Sequence, residues 1–379
     1  MRDFAQFQGA GSGAVIGGRP GRGKRSTLFT AAVDDRGSNS RQEIKRKEVW
    51  MFYREKCNLC GKCLEFCPYV EYDLARAKEE MKELVSGGTP PIVGLCVTCA
   101  SCNLVCPTQA NPFDLLNRRQ EETGALGVPE QAMQNFSKLH NLQTVVKKGE
   151  KGKAVLNLCI VGDMVRELLD NPLFEGLTVV EGADYFCTVG YIHLGKPSPV
   201  EKEAKRFIDN LAALGAEEVV CFHDDCYTML TTLAQEYGLN VPFQPVHLFE
   251  YLYRELKKRE GALKQVPVRV AYQSPCASRY TQGKDIYLDK IFEILGVDRP
   301  ARKYERMNAL CCGAPLMARD KERAATVKKW NIDDAKKVNA EAMVFLCPMC
   351  YLNLRKLCRD DSIEPVFITE LCKRALADQ

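Results

Sequence analysis

Two copies of one cysteine motif constrain this 379-residue chain more than any other feature. Each copy reads C-x-x-C-x-x-C-x-x-x-C-P, and the copies begin at Cys57 and Cys96. Three cysteines at steps of three can reach three corners of a [4Fe–4S] cube from one tight loop. The fourth cysteine stands before a proline that ends the local turn. Two copies of the motif therefore predict two cubes.

The ligands of the two cubes follow from a rule for proteins with two such motifs. In two-cluster ferredoxins the fourth cysteine of each motif ligates the other cluster. The predicted ligands are Cys57, Cys60, Cys63 and Cys106 for cluster 1 and Cys96, Cys99, Cys102 and Cys67 for cluster 2. Structural zinc is the alternative, but zinc sites usually combine two separated C-x-x-C pairs. A dense set of thiols without a secretory signal favours metal over disulfides.

Composition and charge limit the class of protein. An apolar content of 46% and a charged content of 27% are ordinary for a water-soluble protein of two or three domains. Residues 1–48 carry ten Lys/Arg against five Asp/Glu, so the net charge of +4 arises in this segment alone. This distribution argues against nucleic acid as a partner. The apolar stretches are too short to span a bilayer, so we expect no direct membrane insertion and a cytoplasmic location, with any membrane association through a partner subunit.

The chain divides into segments that differ in charge and in predicted secondary structure. Residues 1–48 read as a basic flexible arm, and residues 49–150 as an α-helical domain with a helix over 72–86 between the two motifs. Beyond residue 150, short β-rich runs alternate with helical stretches, which predicts α/β units with parallel strands. The predicted strands are 154–161, 177–180, 218–222, 268–272 and 342–346, and the predicted helices include 200–214 and 320–338.

An internal repeat connects the two parts of this α/β region. A shift of 124 residues aligns Cys187 with Cys311 and Cys226 with Cys350, with no gap between positions 187 and 230. We therefore predict two related halves, residues 151–262 and 263–379.

The second half carries the complete cysteine pattern. Thirty-four residues separate Cys276 from the adjacent pair Cys311-Cys312, and thirty-four more separate that pair from Cys347-Pro348-Met349-Cys350. Adjacent thiolates repel unless a metal takes both, and ligands collect at the strand ends of α/β sheets. Five thiolates exceed what one zinc ion needs, so this half predicts a larger, multi-iron centre.

The first half keeps only part of the pattern, because Thr188 replaces Cys312 and His223 replaces Cys347. Four groups remain that can hold a zinc ion or an ordinary cubane: Cys159, Cys187, His223 and Cys226. The alternative is a decayed site whose cysteines only pack.

Together these motifs resemble those of the CCG-domain iron–sulfur proteins, and the chain after residue 48 resembles the D-type subunits of heterodisulfide reductases, which fuse a C part to a B part. The resemblance implies an α+β multidomain fold: an N-terminal α-helical ferredoxin-like domain with two [4Fe–4S] clusters, then two pseudo-repeated α/β CCG domains. In that family each CCG repeat binds a non-cubane [4Fe–4S] cluster through five cysteines, and the substrate disulfide is cleaved between the two clusters. Carried over, the catalytic and cluster-binding residues of the complete repeat are Cys276, Cys311, Cys312, Cys347 and Cys350.

The resemblance implies an oxidoreductase subunit that relays electrons between two cubanes and the non-cubane cluster. No flavin or nicotinamide fingerprint is evident, so we expect a flavin- and iron–sulfur-containing partner, as in anaerobic electron-bifurcating complexes, including class II benzoyl-CoA reductases. Two alternatives are a catalytic reductase of a CoM-S-S-CoB-like heterodisulfide and the iron–sulfur subunit of a glycolate or glycerol-3-phosphate dehydrogenase. A third is a non-catalytic scaffold whose C-terminal cysteines bind zinc.

Overall fold

The computed structural model describes residues 51–376. The predicted basic arm, residues 1–48, lies outside the described residues. The residues described just before the first motif, 51–56, contain one 3-10 turn, Arg54–Lys56.

Residues 51–141 are all described and form helices and turns without a strand. The predicted helix between the motifs is confirmed as Leu74–Val85. It begins where the Asp73 carboxylate accepts a 2.8 Å hydrogen bond from the Arg76 backbone N–H, and its inner face buries Met81 and Leu84. The helices of this part are α1 Lys62–Glu65, α2 Leu74–Val85, α3 Ile92–Leu95, α4 Ser101–Val105, α5 Pro112–Thr123 and α6 Glu130–Ser137.

A five-stranded sheet follows, with the order β1-β3-β2-β4-β5. All neighbours are parallel except β1, which pairs antiparallel with β3 at the edge. Its strands are β1 Val145–Lys147, β2 Val155–Asn157, β3 Thr178–Glu181, β4 Glu218–Cys221 and β5 Gln244–His247. The strand predicted over 154–161 is shorter than expected, because Cys159 takes a left-handed φ of 57° that no strand can continue.

A second, three-stranded sheet is parallel throughout, with the order β6-β7-β8. Its strands are β6 Val270–Gln273, β7 Ala342–Phe345 and β8 Glu364–Phe367. The strands β5 and β8 were not predicted from the sequence. Each contains a proline, Pro245 or Pro365, which discourages a strand assignment, yet both strands lie at a sheet edge where proline is tolerated.

Helices cover the two sheets, and both sheets share one apolar core. Phe222 beside the first sheet stacks on Phe367 of the second, with ring centroids 5.7 Å apart. The helices predicted over 200–214 and 320–338 are confirmed. The helices of this part are α7 Gly162–Val165, α8 Ser198–Ala212, α9 Asp224–Thr228, α10 Ala234–Glu236, α11 Leu248–Lys257, α12 Asp285–Leu295, α13 Lys321–Lys337, α14 Pro348–Asp360 and α15 Ile368–Arg374. Across residues 51–376, every helix is too short or too polar to cross a bilayer.

Candidate metal centres

The first set of cysteines brought together, here called group I, joins the two motifs. Group I comprises Cys57, Cys60, Cys63 and Cys106, which line one small cavity with Gly61 and Met81. Burial raises the pKa of the Cys63 thiol to about 12, and the negative charge of the other three cysteines adds to this. The structure thus brings together the four residues predicted for cluster 1.

Group II is the complementary set: Cys67, Cys96, Cys99 and Cys102. Burial raises the pKa of Cys67 to about 12 and that of Cys96 to about 11, and charge at Cys99 raises both further. Cys63 of group I lines the same cavity as group II. The two groups are therefore neighbours, and each combines three cysteines of one motif with the fourth cysteine of the other.

The loops that carry groups I and II share one backbone geometry. In the first motif Leu59 and Gly61 have positive φ, and in the second motif the equivalent Thr98 and Ala100 do. A side chain at Gly61 would lie 2.7 Å from the backbone nitrogen of Lys78, so glycine is required there. Backbone of alternating handedness turns successive N–H groups inward, which suits an anionic iron–sulfur centre.

Backbone N–H groups also reach the sulfur atoms of group I and group II directly. The N–H of Thr98 lies 3.3 Å from Cys96 Sγ, and the N–H of Ala110 lies 3.3 Å from Cys106 Sγ. Such donors stabilise thiolate charge and orient metal ligands.

Group III comprises the five cysteines of the second half: Cys276, Cys311, Cys312, Cys347 and Cys350. Each is at most 9% exposed. Cys276 follows β6 by three residues, and Cys347 follows β7 and caps helix α14, so both stand at the carboxyl ends of parallel strands. The predicted set is therefore gathered at one sheet edge.

The thiols of group III form a chain of contacts. Cys311 interacts with Cys276 and Cys312, and Cys350 interacts with Cys312 and Cys347. The Cys350 thiol and, after it, the charge of His223 lower the pKa of Cys347 to about 6. The loop at Cys311 is held by Asn331, whose amide donates to the Cys311 carbonyl at 2.9 Å, and by the Gly313 N–H, 3.3 Å from Cys311 Sγ.

Group IV lies in the first half and comprises Cys159, Cys187 and Cys226. Their sulfur atoms lie within 4.8 Å of one another, a compactness that no other trio of cysteine, histidine or acidic residues reaches within residues 51–376. Cys159 Sγ is 3.7 Å from Cys187 Sγ. The neighbouring Cys221 is fully buried, and its thiol approaches the Val219 carbonyl instead.

The fourth residue predicted for this site, His223, is placed differently. Its Nε2 lies 3.2 Å from Cys347 Sγ of group III, and its Nδ1 lies 3.5 Å from the Asp225 carboxylate. Thr188, at the other substituted position, donates its hydroxyl to the Cys187 carbonyl at 2.6 Å. Group IV is therefore a set of three thiols, with the imidazole directed towards group III.

Several residues around these groups were not singled out from the sequence. Arg279 and Tyr69 lie between groups II and III, and His193 Nδ1 donates at 3.0 Å to the Thr98 carbonyl next to group II. The only sequence signal for Arg279 is its position three residues after Cys276, and for Tyr69 its position two residues after Cys67. Neither position predicts their contacts, because these join distant parts of the chain. The remaining thiols, Cys358 and Cys372, are fully buried, as expected for packing residues.

Comparison with known proteins finds a family match for the part of the chain that carries group III. Residues 270–355, which contain all of group III, match the family described as CCG, a cysteine-rich domain. The chain is 22% identical over 346 residues to the B subunit of the fumarate reductase (CoM/CoB) of Methanothermobacter marburgensis, covering 81% of this chain and 68% of that protein. It is 23% identical over 378 residues to the D subunit of the dihydromethanophenazine:CoB–CoM heterodisulfide reductase of Methanosarcina acetivorans, covering 81% and 89%.

Among solved structures, a hypothetical protein from Helicobacter pylori aligns with a TM-score of 0.48 and 11% identity. The alignment covers 72% of this chain and 59% of that one.

Proposed function

We propose that this iron–sulfur protein, which is of the heterodisulfide reductase D type, is the electron-transfer subunit of an oxidoreductase complex. Groups I and II would each hold a [4Fe–4S] cubane, and group III a non-cubane [4Fe–4S] cluster. These centres, when bound, supply one-electron redox chemistry along the chain. The observation that carries the proposal is the division of eight motif cysteines into two crossed sets of four.

The donor atoms of groups I and II fit this assignment. Each group offers four soft thiolates at one cavity, the number that a cubane requires. Their raised pKa values mean that Cys63 and Cys67 are protonated at neutral pH without metal, so iron binding must release protons. Backbone N–H groups at the sulfur atoms then offset the charge. On this basis we propose an α-helical ferredoxin-like domain over the part of residues 49–150 that precedes strand β1, because Val145–Lys147 pairs with β3 and belongs to the first sheet.

Group III fits a larger centre better than a single ion. Its five thiols interact pairwise along a chain, and no three of them converge as closely as those of group IV. A centre with several irons can use five separated ligands, whereas tetrahedral zinc uses four converging ones.

We also propose that the two α/β halves, residues 151–262 and 263–379, are pseudo-repeats. Strands β2-β4-β5 and β6-β7-β8 have the same parallel order. The last strand of each set carries a proline at its second position, Pro245 or Pro365. Group III and group IV then occupy corresponding edges of their sheets, with group IV belonging to the degenerate repeat.

Group IV would hold a zinc ion or a further iron–sulfur cluster. The two are separated by replacing Cys226 with serine and counting metals. Loss of one zinc per chain with iron unchanged indicates zinc, whereas loss of about four irons indicates a cubane. Cys221→Ala is the matched control, because Cys221 is equally buried but its sulfur lies outside the trio. Unchanged metal content in Cys226→Ser contradicts a site here.

A flavin-containing partner subunit is part of the proposal. Both relatives are named as subunits, which supports a multisubunit complex. Purification of the native complex without oxygen, followed by flavin analysis of each polypeptide, tests this. A complex that reduces an acceptor without any flavin would contradict the flavin assignment and leave the electron-transfer role intact.

A disulfide reductase is the second candidate, favoured by the relative named as part of a heterodisulfide reductase, of which this chain covers 89%. The placement of His223 opposite Cys347 leaves group III as the one complete five-cysteine set among the described residues. Reductase activity predicts thiol formation from a heterodisulfide by the chain and a reduced dye. Absence of turnover with a range of disulfides favours the electron-transfer role.

Metal analysis of anaerobically purified protein tests the main proposal. We expect about twelve irons per chain, as three clusters of four, if group IV holds zinc. About eight irons with additional zinc supports cubanes in groups I and II and a zinc scaffold at group III. Colourless protein with no iron contradicts the proposal altogether.

A further inference from the structure

Arg279 is a buried cation between two cysteine groups. The residue is 5% exposed, and it belongs to the 3-10 turn Cys276–Tyr280 that packs against helix α4. Arginine is almost never buried to this degree without an anionic or polar environment that compensates its charge. What surrounds the guanidinium therefore indicates its role.

The guanidinium is held from three sides. Nε donates to Ser101 Oγ at 2.9 Å, Nη1 donates to the Pro275 carbonyl at 3.0 Å, and Nη2 donates to the Ala309 carbonyl. Ser101 Oγ in turn lies 3.4 Å from Cys99 Sγ of group II. One hydrogen-bonded path thus connects a group II sulfur to a cation anchored on the loops of group III.

Those loops belong to group III by position. Pro275 immediately precedes Cys276, and Ala309 stands two residues before Cys311. Cys99, Cys276 and Cys311 also belong to one packed cluster. The guanidinium is therefore fixed beside ligands of both groups.

The charges around Arg279 agree with this position. Burial by itself lowers the pKa of an arginine, but negative charge at Cys276, Cys99 and Cys311 raises that of Arg279. Tyr69 also lies between groups II and III. Its hydroxyl accepts a 2.7 Å hydrogen bond from the Cys311 N–H; burial raises its pKa, and negative charge at Cys99 and Cys311 raises that pKa further.

We propose that Arg279 tunes the reduction potentials of the centres in groups II and III together, as one positive charge shared between them. This rests on the proposed function, in which both groups hold iron–sulfur clusters. Each one-electron reduction adds a negative charge, and a fixed buried cation stabilises the reduced form of either centre. The effect is strong because the site is buried, where charges are weakly screened.

Other arginines at this junction differ in a way that supplies a control. Arg323 also links the helical part to the second α/β half, donating to the Tyr69 carbonyl at 2.8 Å and the Leu95 carbonyl at 2.6 Å. Arg323 is more exposed than Arg279, and it contacts the helical part through these two backbone carbonyl groups. Arg319 donates to the Cys96 carbonyl and is likewise less buried than Arg279.

The experiment is an anaerobic redox titration with dithionite and mediators, followed by electron paramagnetic resonance, on the full chain. Iron content and thermal stability are measured in parallel. The variants are Arg279→Met, Arg279→Lys, Ser101→Ala and, as the matched control, Arg323→Met.

In Arg279→Met we expect the equilibrium constant for reduction of the group II and group III centres to fall at least tenfold, which is about 59 mV for a one-electron couple. The group I centre should change less than twofold, because the guanidinium does not contact its ligands. Arg279→Lys should restore most of the potential, since it keeps the charge and loses only the planar fork. Ser101→Ala should shift group II alone, and Arg323→Met should shift neither group.

Several outcomes would overturn the assignment. Potentials within twofold of wild type in Arg279→Met at full iron content show that Arg279 only holds the loops together. Equal shifts in all three groups, or an equal shift in Arg323→Met, show a general effect. If Arg279→Met loses iron, the Ser101→Ala variant is used as the test instead. An unchanged group II potential in Ser101→Ala overturns the proposal. Wild-type protein with fewer than three iron–sulfur signals contradicts the proposed function itself, and this assignment with it.

Discussion

The Nε2 atom of His223 lies 3.2 Å from the sulfur of Cys347, which stands 124 residues later in the chain. The same interval of 124 residues aligns the two halves of the sequence, so these are counterpart positions facing each other. One side chain is a member of group III and the other is its substituted equivalent. The first half therefore contacts group III through His223, the residue that replaces a cysteine in the first half's own cysteine pattern.

The first prediction concerns this contact. His223→Gln removes an imidazole from the Cys347 sulfur, and a hydrogen bond to a ligand sulfur raises a cluster's potential. We expect the group III centre to become harder to reduce, by roughly threefold to tenfold in its equilibrium constant. Redox titration of the variant measures this.

The control for that experiment is His140→Gln, because His140 contacts the Tyr191 hydroxyl at 3.0 Å and no cysteine. Its potentials should match the wild type. A His223→Gln protein with an unaltered group III potential would show that the contact has no redox role.

A second prediction tests the composition of group III. Cys312→Ser should abolish the spectrum of the group III centre and remove about four irons per chain, while groups I and II keep their signals. Cys358→Ala is the matched control, because Cys358 is also fully buried in the second half but contacts the Met343 sulfur at 3.7 Å. Simultaneous loss of all signals in Cys312→Ser, with Cys358→Ala unaffected, would mean that the three centres are not independent.

A third prediction is a pH dependence of stability at Asp114 in helix α5. Burial raises the pKa of this carboxyl to about 6, although Asn103 donates to it at 2.7 Å and Tyr280 at 3.2 Å. The folded-state pKa is above the unfolded value of 3.8, so the folded protein binds the proton more tightly. The free energy of unfolding should therefore fall as the pH rises from about 4 to about 6, and stay lower above that.

Asp114→Asn should remove this dependence. Because the residue as a whole is only half-buried, we expect the variant to gain roughly 1–2 kcal/mol over wild type as the pH rises from about 4 to about 7. Urea denaturation at a series of pH values measures the difference. Asp163→Asn, at a carboxylate that is 90% exposed, is the control and should show no trend. A constant difference between Asp114→Asn and wild type across the range would refute the assignment.

A fourth prediction concerns a buried ion pair between the two α/β halves. Lys284 Nζ lies 3.3 Å from the Asp224 carboxylate, with side chains 1% and 0% exposed. Ser278 donates to the same carboxylate at 2.9 Å. Without Lys284, the buried Asp224 charge keeps only the hydrogen bonds from Ser278 and from His247 Nε2, 3.1 Å away, so Lys284→Met should cost roughly 3–5 kcal/mol of unfolding free energy.

The double variant Lys284→Met with Asp224→Asn should recover part of that loss, because no buried charge remains. Lys205→Met is the surface control, since Lys205 pairs with Asp209 at an exposed position and should change stability by at most about 1 kcal/mol. Chemical denaturation measures all three. Equal costs for Lys284→Met and Lys205→Met would contradict the view that burial makes this pair important.

Local features were predictable from the sequence wherever neighbouring residues decide the structure. The helix Leu74–Val85 and the strands β4 and β7 appear close to the predicted positions, because their apolar periodicity and capping residues lie within the element itself. The strand expected over residues 154–161 ends early at Asn157. Cys159, two residues later, has a left-handed backbone conformation and belongs to group IV. The apolar periodicity of the sequence does not predict such a conformation.

Spacing of the cysteines by itself determined which thiols share a loop, since a loop of three-residue steps cannot carry them far apart. Only the tertiary structure decided where His223 points and that Arg279 lies between groups II and III. Arg279 and Ser101 are 178 residues apart, and Arg279 and Ala309 are 30 apart, in separate turns. Such contacts depend on how whole elements pack, and packing is a property of the complete core, which no local pattern of residues encodes.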